Sequence, residues 1–238
     1  LKQWFRLKNH RLPKEEEKLL ALAMPPLDTF QKGFMAAAYI DLTFQDVKDS
    51  QGKNRSLTPG TFSVLMRDED RVLREGAFKQ FHKTFDQFSH LFSELLYGEV
   101  KKHLFIAKTR RHSSCLASAL FPHAITPSVY FSLKETVRQK GLKSLHRYVS
   151  LKKKLLGVKD FHYYDLFASL KAKRAVSFSF EEAAHIVVES VAPLGEEYQT
   201  VLKKGLLQDR WVDVPESKNK RGSAYSSGCY DSMPYILM

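Results

Sequence analysis

The feature that most constrains the fold is a stripe of large apolar side chains in the first half of the chain. Its members are Phe78, Phe81, Phe85, Phe88, Phe92 and Leu95. Because their spacings alternate between three and four residues, they fall on one face of an α-helix. The pattern predicts helix from residue 68 to about 112, with Phe81, Phe85, Phe88 and Phe92 largely buried. The same spacing would suit an aromatic ligand-binding face, but a helix packed into a core is the more frequent cause.

Helix-start and helix-stop residues predict further helices on both sides of the stripe. Pro13, followed by three glutamates, begins a helix that we expect to stop at the proline pair at 25–26. Thr126 with Pro127 begins another long helix, which Gly157 closes. The residues predicted to face inward on that helix are Val137, Leu145, Tyr148, Val149 and Leu156.

A change of period predicts a β-hairpin near the start of the chain. Apolar and polar residues alternate at 42–46, a polar turn follows at 49–54, and the return strand is expected at 55–57. Thr58 and Pro59 then provide the cap and first residue of a new helix.

The second half of the chain carries its own helix signals. Ser179 and Glu182 form a capping box that opens a helix, and Pro193 should kink or break it. Gly205 is the expected stop.

These signals predict a mainly α fold, a scaffold of long helices with a small β-hairpin or ribbon at its C-terminal edge. We expect three segments along the chain. They are N-terminal helices with a hairpin at 1–66, a long-helix region at 67–207 and a ribbon at 208–238.

The charge of the chain leaves one non-enzymatic function open. Lys and Arg number 38 against 26 Asp and Glu, a formal net charge of +12, and residues 138–174 hold eleven cations with two acids. Such a stretch is typical of a solvated helix face, although it would also attract polyanions. The alternative to an enzyme is therefore a non-catalytic helical module that binds nucleic acid or another polyanion.

Residue motifs for known chemistry are absent from the sequence. No histidine lies within five residues of another, which excludes H-E-x-x-H and comparable zinc pairs. Cys115 and Cys229 are far apart, so we expect free thiols in a reducing, cytoplasmic setting. No apolar run approaches the roughly 20 residues of a membrane helix.

Several stretches are specific enough to compare with a known family. They lie at 42–58, 70–78, 192–198 and 210–214, and the longest, at 220–238, reads KRGSAYSSGCYDSMPYILM. From about Glu15 to Met238 the chain resembles oligoendopeptidase F, of the thimet oligopeptidase-like zinc metallopeptidases.

The resemblance implies a mainly helical hydrolase that cleaves short peptides in a deep channel. In that family two histidines of H-E-x-x-H and a downstream glutamate hold zinc, and the glutamate of the motif is the general base. Because this sequence lacks the motif and both of its ends look cut, we expect an N-terminal portion that stops before the zinc helix. Such a portion would bind no zinc alone, lack activity, and need the remainder of the catalytic domain as its partner.

The resemblance also implies where substrate binds. The segment 222–238 looks like the family's β-ribbon beside the cleft, and an edge strand offers backbone N–H and C=O groups to an extended peptide. The substrate-binding residues expected here are Ala224, Tyr225, Ser226, Ser227, Gly228 and Tyr230. The alternative is that Tyr225, Tyr230 and Tyr235 only pack a hairpin. No catalytic or metal-binding residue is expected in the chain.

Overall fold

The computed structural model describes residues 2–170, 178–214, 220 and 224–237. It is mainly helical with small sheets, which confirms the predicted fold class. The α-helices are α1 (Lys2–Leu7), α2 (Lys14–Leu27), α3 (Thr29–Ala36), α4 (Pro59–Leu65), α5 (Arg71–Asp86), α6 (Ser89–Thr109), α7 (Cys115–Leu120), α8 (Pro127–Thr136), α9 (Leu142–Leu156), α10 (Phe180–Ser190) and α11 (Glu196–Leu207). The strands are β1 (Val47–Lys48), β2 (Asn54–Arg55), β3 (Val212–Asp213), β4 (Tyr225–Ser227) and β5 (Tyr235–Leu237).

The chain divides into two compact units. The first comprises Leu1–Gln45 and Phe78–Phe167, and the second comprises Asp46–Ala77 and Ala168–Met238. The three segments expected from the sequence remain a prediction.

In the first unit, α2 continues through Pro25 and Pro26 to Leu27, so the predicted stop at the prolines was wrong. Each proline lacks an N–H and so removes one hydrogen bond to the carbonyl four residues earlier, and α2 continues to Leu27 despite the loss of these two bonds. The Asp28 N–H still donates to the Met24 carbonyl at 3.0 Å and closes the helix.

The aromatic stripe lies on two helices rather than one. Helix α5 ends at Asp86 and α6 begins at Ser89, with Phe88 between them in a non-helical conformation. Phe88 at this break still has its ring centroid 6.4 Å from that of Phe92, but it is 42% exposed, so the prediction that it is buried was wrong.

The other three phenylalanines of the prediction form a ladder of rings that is half-buried rather than fully buried. Ring centroids lie 5.0 Å apart for Phe81 and Phe85, and 5.6 Å apart for Phe85 and Phe92. Phe44 stacks on Phe81, and Phe34 meets the edge of Phe92. The stripe therefore does join α5 and α6 to preceding parts of the unit.

Helices α3 and α6 approach closely at a glycine. A Cβ on Gly98 would lie 2.2 Å from the Phe30 ring. One turn further along α6, the nearly buried Lys102 places its Nζ 2.7 Å from Glu99 Oε1 and 3.5 Å from Asp28 Oδ1. The hydrogen bond to Glu99, and then the one to Asp28, raise the pKa of Lys102 above its usual value.

The N-terminal residues are attached to the end of α6 by a group of rings and charges. The His10 and His112 rings stack with centroids 3.9 Å apart, and His10 Nδ1 donates to the Arg110 carbonyl at 2.7 Å. Arg110 also forms a bidentate ion pair with Glu17, in which each guanidinium NH2 group donates to one carboxylate oxygen. Burial, followed by the neighbouring His10 and Arg110, lowers the pKa of His112.

The long helix that begins at Pro127 has the predicted ends but not the predicted burial. Helices α8 and α9 are joined by a π-helical turn, and Gly157 ends α9 with a φ of 66°. The predicted inward positions Val137, Leu145 and Tyr148 are exposed, whereas Val149 and Leu156 are half-buried. Periodicity identified an apolar side of the helix, but it contains no information on what covers that side.

In the second unit, β1 and β2 pair as the predicted antiparallel hairpin, although pairing starts at Val47 rather than at residue 42. Thr58 caps α4 as predicted, with its hydroxyl accepting from the Thr61 N–H at 3.0 Å. Ser179 caps α10 with Glu182 in the predicted capping box.

A three-residue 3-10 turn that contains Pro193 separates α10 from α11, as predicted. Gly205 is buried inside α11 and does not end it, so the predicted stop there was wrong. The reason for a glycine at this position is a close approach by the Trp211 ring, described below.

Candidate functional site: the β-ribbon

The C-terminal part of the second unit folds into a three-stranded sheet in the order β3-β5-β4. Strands β3 and β5 are parallel, with Val212 opposite Ile236. Strands β4 and β5 are antiparallel, and their three pairs are Tyr225 with Leu237, Ser226 with Ile236 and Ser227 with Tyr235. Within the described residues β4 is therefore an edge strand, as predicted for a ribbon here.

The register fixes which backbone groups of β4 face the open edge. The Ile236 N–H donates to the Trp211 carbonyl at 2.7 Å, so the backbone groups of Ile236 point toward β3. In an antiparallel pair, two opposite residues either bond to each other or both point away. Ser226 is paired with Ile236, and its N–H and C=O consequently point away from β5, toward the open edge.

Trp211 attaches this sheet to α11. Its ring covers Gly205 so closely that a Cβ on that residue would lie 2.3 Å from the ring. The backbone N–H of Trp211 donates to the Gly205 carbonyl at 3.1 Å, and the backbone carbonyl of Trp211 accepts from the Ile236 N–H. The indole N–H also points at Met233 Sδ, 3.1 Å away. One residue thus connects the helix, β3 and β5.

Most of the predicted substrate-binding residues lie together on the ribbon. Ala224, Tyr225, Ser226 and Ser227 occupy β4 or the residue before it, and all are exposed. Gly228 follows directly and is also exposed. The predicted segment 222–238 includes residues 222, 223 and 238, which lie outside the described residues.

Tyr230 lies apart from the other predicted residues. It occupies the turn Cys229–Ser232, in which the Ser232 N–H donates to the Cys229 carbonyl at 3.2 Å. Its side chain is 100% exposed. The structure therefore groups residues 224–228 along the edge and leaves Tyr230 at the tip of the connection.

A cleft of about 350 Å³ adjoins the ribbon. Its lining includes Trp211, Asp213, Tyr225, Tyr235 and Leu237. The sequence analysis included Trp211 only within the stretch 210–214 and missed both the cleft and the contact with Gly205. A glycine within a helical pattern was the available signal, since such a glycine often marks a close approach.

The described ranges 2–170, 178–214, 220 and 224–237 contain no group of three His, Cys, Asp or Glu side chains placed to hold a metal ion together. Over the same ranges, none of the helices is long and apolar enough to cross a membrane.

Comparison with known proteins gives a consistent set of relatives. The model of peptidase family M3 matches residues 64–238. Oligopeptidase PepF of Bacillus subtilis (strain 168) is 40% identical over 229 residues, which cover 96% of this chain and 34% of that protein. An oligoendopeptidase F homolog of Borreliella burgdorferi is 34% identical over 233 residues, covering 98% of this chain and 38% of that protein.

A solved structure agrees with the sequence matches. The crystal structure of oligoendopeptidase-F from Enterococcus faecium superposes with a TM-score of 0.67 at 33% identity, over 85% of this chain and 38% of that one. The present chain thus spans somewhat more than a third of the length of the curated relatives named above.

Proposed function

Because the chain belongs to peptidase family M3, we propose that it forms part of a zinc-dependent oligoendopeptidase that hydrolyses peptide bonds in short peptides. Its relatives PepF and oligoendopeptidase F support this assignment through their names and their identity across the chain. The free thiols of Cys115 and Cys229 are compatible with the cytoplasmic location that we propose for the enzyme.

The role we assign to this chain is to hold the backbone of the substrate along β4. The observation that carries this role is the orientation of Ser226, whose N–H and C=O face the edge of β4 that no other described strand covers. An extended peptide that adds to such an edge gains main-chain hydrogen bonds regardless of its sequence. That property suits an enzyme that accepts many different short peptides.

Zinc would polarise the carbonyl of the bond to be cleaved and would activate the attacking water. The described residues of this chain do not fit a zinc site, since no three potential ligands among them converge. We therefore assign no ligand and no chemical step to this chain. Its proposed contribution is to bind and orient the peptide.

Three variants of the metal-loaded enzyme that contains this chain test the role of β4. Ser226→Pro removes the N–H that faces the open edge and leaves the β4–β5 hydrogen bonds in place, because proline is tolerated where the N–H faces outward. We expect kcat/KM on a quenched fluorescent peptide to fall about tenfold or more, the effect of losing one backbone bond to substrate. Ser226→Ala should be mild.

Ser227→Pro is the matched control. Ser227 pairs with Tyr235 at a hydrogen-bonded position, so proline there should weaken the ribbon itself, visible as a lower melting temperature. If Ser226→Pro folds normally by circular dichroism and cleaves like the parent, β4 does not bind substrate.

The alternative of polyanion binding has no specific observation behind it, because seven of the cations at 138–159 are exposed as on any solvated helix face and Lys152 is buried. Lys152 is 5% exposed and donates to the Leu166 carbonyl at 2.5 Å, so it is engaged inside the protein. Residues 171–174, which hold three more of the cations, lie outside the described residues. We do not propose this function.

A further inference from the structure

Helix α8 and the first half of α9 are not covered by any other described part of the chain. All residues from 122 to 148 are exposed, and the first half-buried position after them is Val149. The stretch 127–148 is helical throughout, including the π-helical turn, and it is roughly 30 Å long. Most helical stability in proteins comes from the packing of an apolar face. A helix of this length with no packed face therefore needs a cover.

The side chains of this stretch are apolar enough to require burial. Six of the large apolar ones are 47–64% exposed, and these are Val129, Phe131, Leu133, Val137, Leu145 and Tyr148. At 3.6 residues per turn, the apolar positions 129, 130, 131 and 133 spread over about 200° of α8. A helix that is apolar over more than half of its circumference is normally buried in protein, whereas a helix that lies on a lipid surface has one broad polar face.

Helix α9 shows that its apolar surface is covered only in part. Val149 is half-buried, and Lys152 on the same side is 5% exposed. On the neighbouring side, Leu145, Tyr148 and Leu151 are 49%, 47% and 55% exposed. Residues three and four apart on a helix are neighbours, so these two sides form one continuous surface. The apolar surface thus extends beyond the part that is covered.

The accessible area of the chain indicates how large the cover is. The chain exposes 18,317 Å². A compact protein of its mass, 27.4 kDa, exposes about 11,000 Å², and two separate compact domains of half that mass expose about 13,000 Å² together. The excess of about 5,000 Å² is several times the roughly 800 Å² that each partner buries in a standard complex. Further residues of the same polypeptide can supply such a cover, and the chain spans only 34% and 38% of the two curated relatives named above.

We infer that α8 and the exposed apolar side of α9 form a docking surface, covered in the complete enzyme by an apolar region of the same polypeptide. This inference rests on the part of the proposed function that makes the chain one portion of a longer enzyme. It does not depend on which bonds that enzyme hydrolyses. A second copy of the chain and a lipid surface are the two other covers that the test distinguishes.

Cysteine labelling of the complete enzyme tests the docking surface, in a background with serine at every native cysteine. Leu133→Cys and Leu145→Cys each place a thiol on the surface. Glu135→Cys and Ser150→Cys are the matched controls, because they lie on the opposite, polar side of the same two helices. We expect maleimide to react at least about tenfold more slowly with the first pair, since a covered thiol reacts only when the cover opens. In urea all four thiols should react alike.

Equal rates for the surface and control thiols in the folded enzyme overturn the inference. Protection that is lost on dilution, together with a dimer in sedimentation, identifies a second copy as the cover. Protection that requires anionic lipid vesicles identifies a lipid surface, and either result overturns the assignment to the same polypeptide. An enzyme that cleaves no peptide but protects both thiols contradicts the proposed activity and supports the docking surface.

Hydrogen exchange of the unmodified enzyme provides the same test without any substitution, should a cysteine variant fail to fold. The amides of residues 127–148 should exchange at least about a hundredfold more slowly than those of an unstructured peptide, because exchange from a packed helix requires local unfolding. Exchange within about tenfold of the unstructured rate would mean that the helix is not covered, and the inference would then be wrong.

Discussion

The contact between Trp211 and Gly205 makes a sharp prediction for Gly205→Ala. A Cβ at this position would lie 2.3 Å from the indole, whereas carbon atoms in contact are about 3.5–4.0 Å apart. The ring would have to move by roughly 1.2–1.7 Å. Because Trp211 also accepts the Ile236 hydrogen bond, the shift would be transmitted to β5.

Two opposing effects set the change in the free energy of unfolding that Gly205→Ala causes. Replacing glycine by alanine inside a helix stabilises it by about 1 kcal/mol, whereas forcing extra volume into a packed contact costs about 1–3 kcal/mol. Overpacking should therefore match or outweigh the gain, with a net loss of about 0–2 kcal/mol. Gly76→Ala is the matched control, since its Cβ would lie 3.8 Å from Val47, an ordinary contact, and only the gain should remain.

Urea unfolding of both variants measures the difference, which should be about 1–3 kcal/mol in favour of Gly76→Ala. The chain has two tryptophans, so a Trp4→Phe background makes the fluorescence specific to Trp211. Its emission should shift in Gly205→Ala alone, and kcat/KM of the enzyme should fall in that variant only. Equal stabilities together with unchanged emission would refute the packing argument.

Three other residues give predictions that urea unfolding also checks. Phe85→Ala should cost about 1–3 kcal/mol, less than a fully buried phenylalanine, because the ring is half-buried; a cost below that of the exposed Phe88→Ala would contradict the ring ladder. The pKa of His112 is lowered in the folded state, chiefly by burial, so the unfolded state binds its proton more readily. Stability should fall as the pH drops below about 6.5, and His112→Phe should lose that part of the pH dependence; an identical slope in both proteins would show that the group is not responsible. Lys102→Met should cost about 1–3 kcal/mol, because it leaves the Glu99 carboxylate without its closest cation, and adding Glu99→Gln should recover part of the loss, whereas no recovery would show that the pair is not coupled.

Local chemistry was sufficient to predict much of the fold. Thr58, Ser179 and Gly157 mark helix ends because capping depends on residues within one turn. The predictions were wrong where contacts between residues far apart in the sequence determine a helix end or the burial of a side chain. The break beside Phe88 has no proline or glycine to announce it, and the exposure of Tyr148 depends on whether another element covers α9.

The candidate site shows the same division. The resemblance of the segment 222–238 to a family β-ribbon indicated a ribbon here, and the described residues of that segment form one. The direction of the backbone N–H and C=O of Ser226 depends on a hydrogen bond between Ile236 and Trp211, which are far apart in the sequence. Alternation predicts which side chains share a face, but the pairing partner decides which backbone groups remain free.

Because the ribbon is short, the length of its connecting loop also sets the register of β4 on β5. Among the described residues three pairs hold β4 on β5, and the loop at 228–234 sets which pairs form. A loop longer or shorter by one residue would slide β4 by one position, and every side chain of the strand would exchange faces. Ser226 would then turn its N–H inward, and its neighbours would present theirs to the open edge. Changes of loop length would thus alter which substrate residues are bound while every residue of the strand stayed the same.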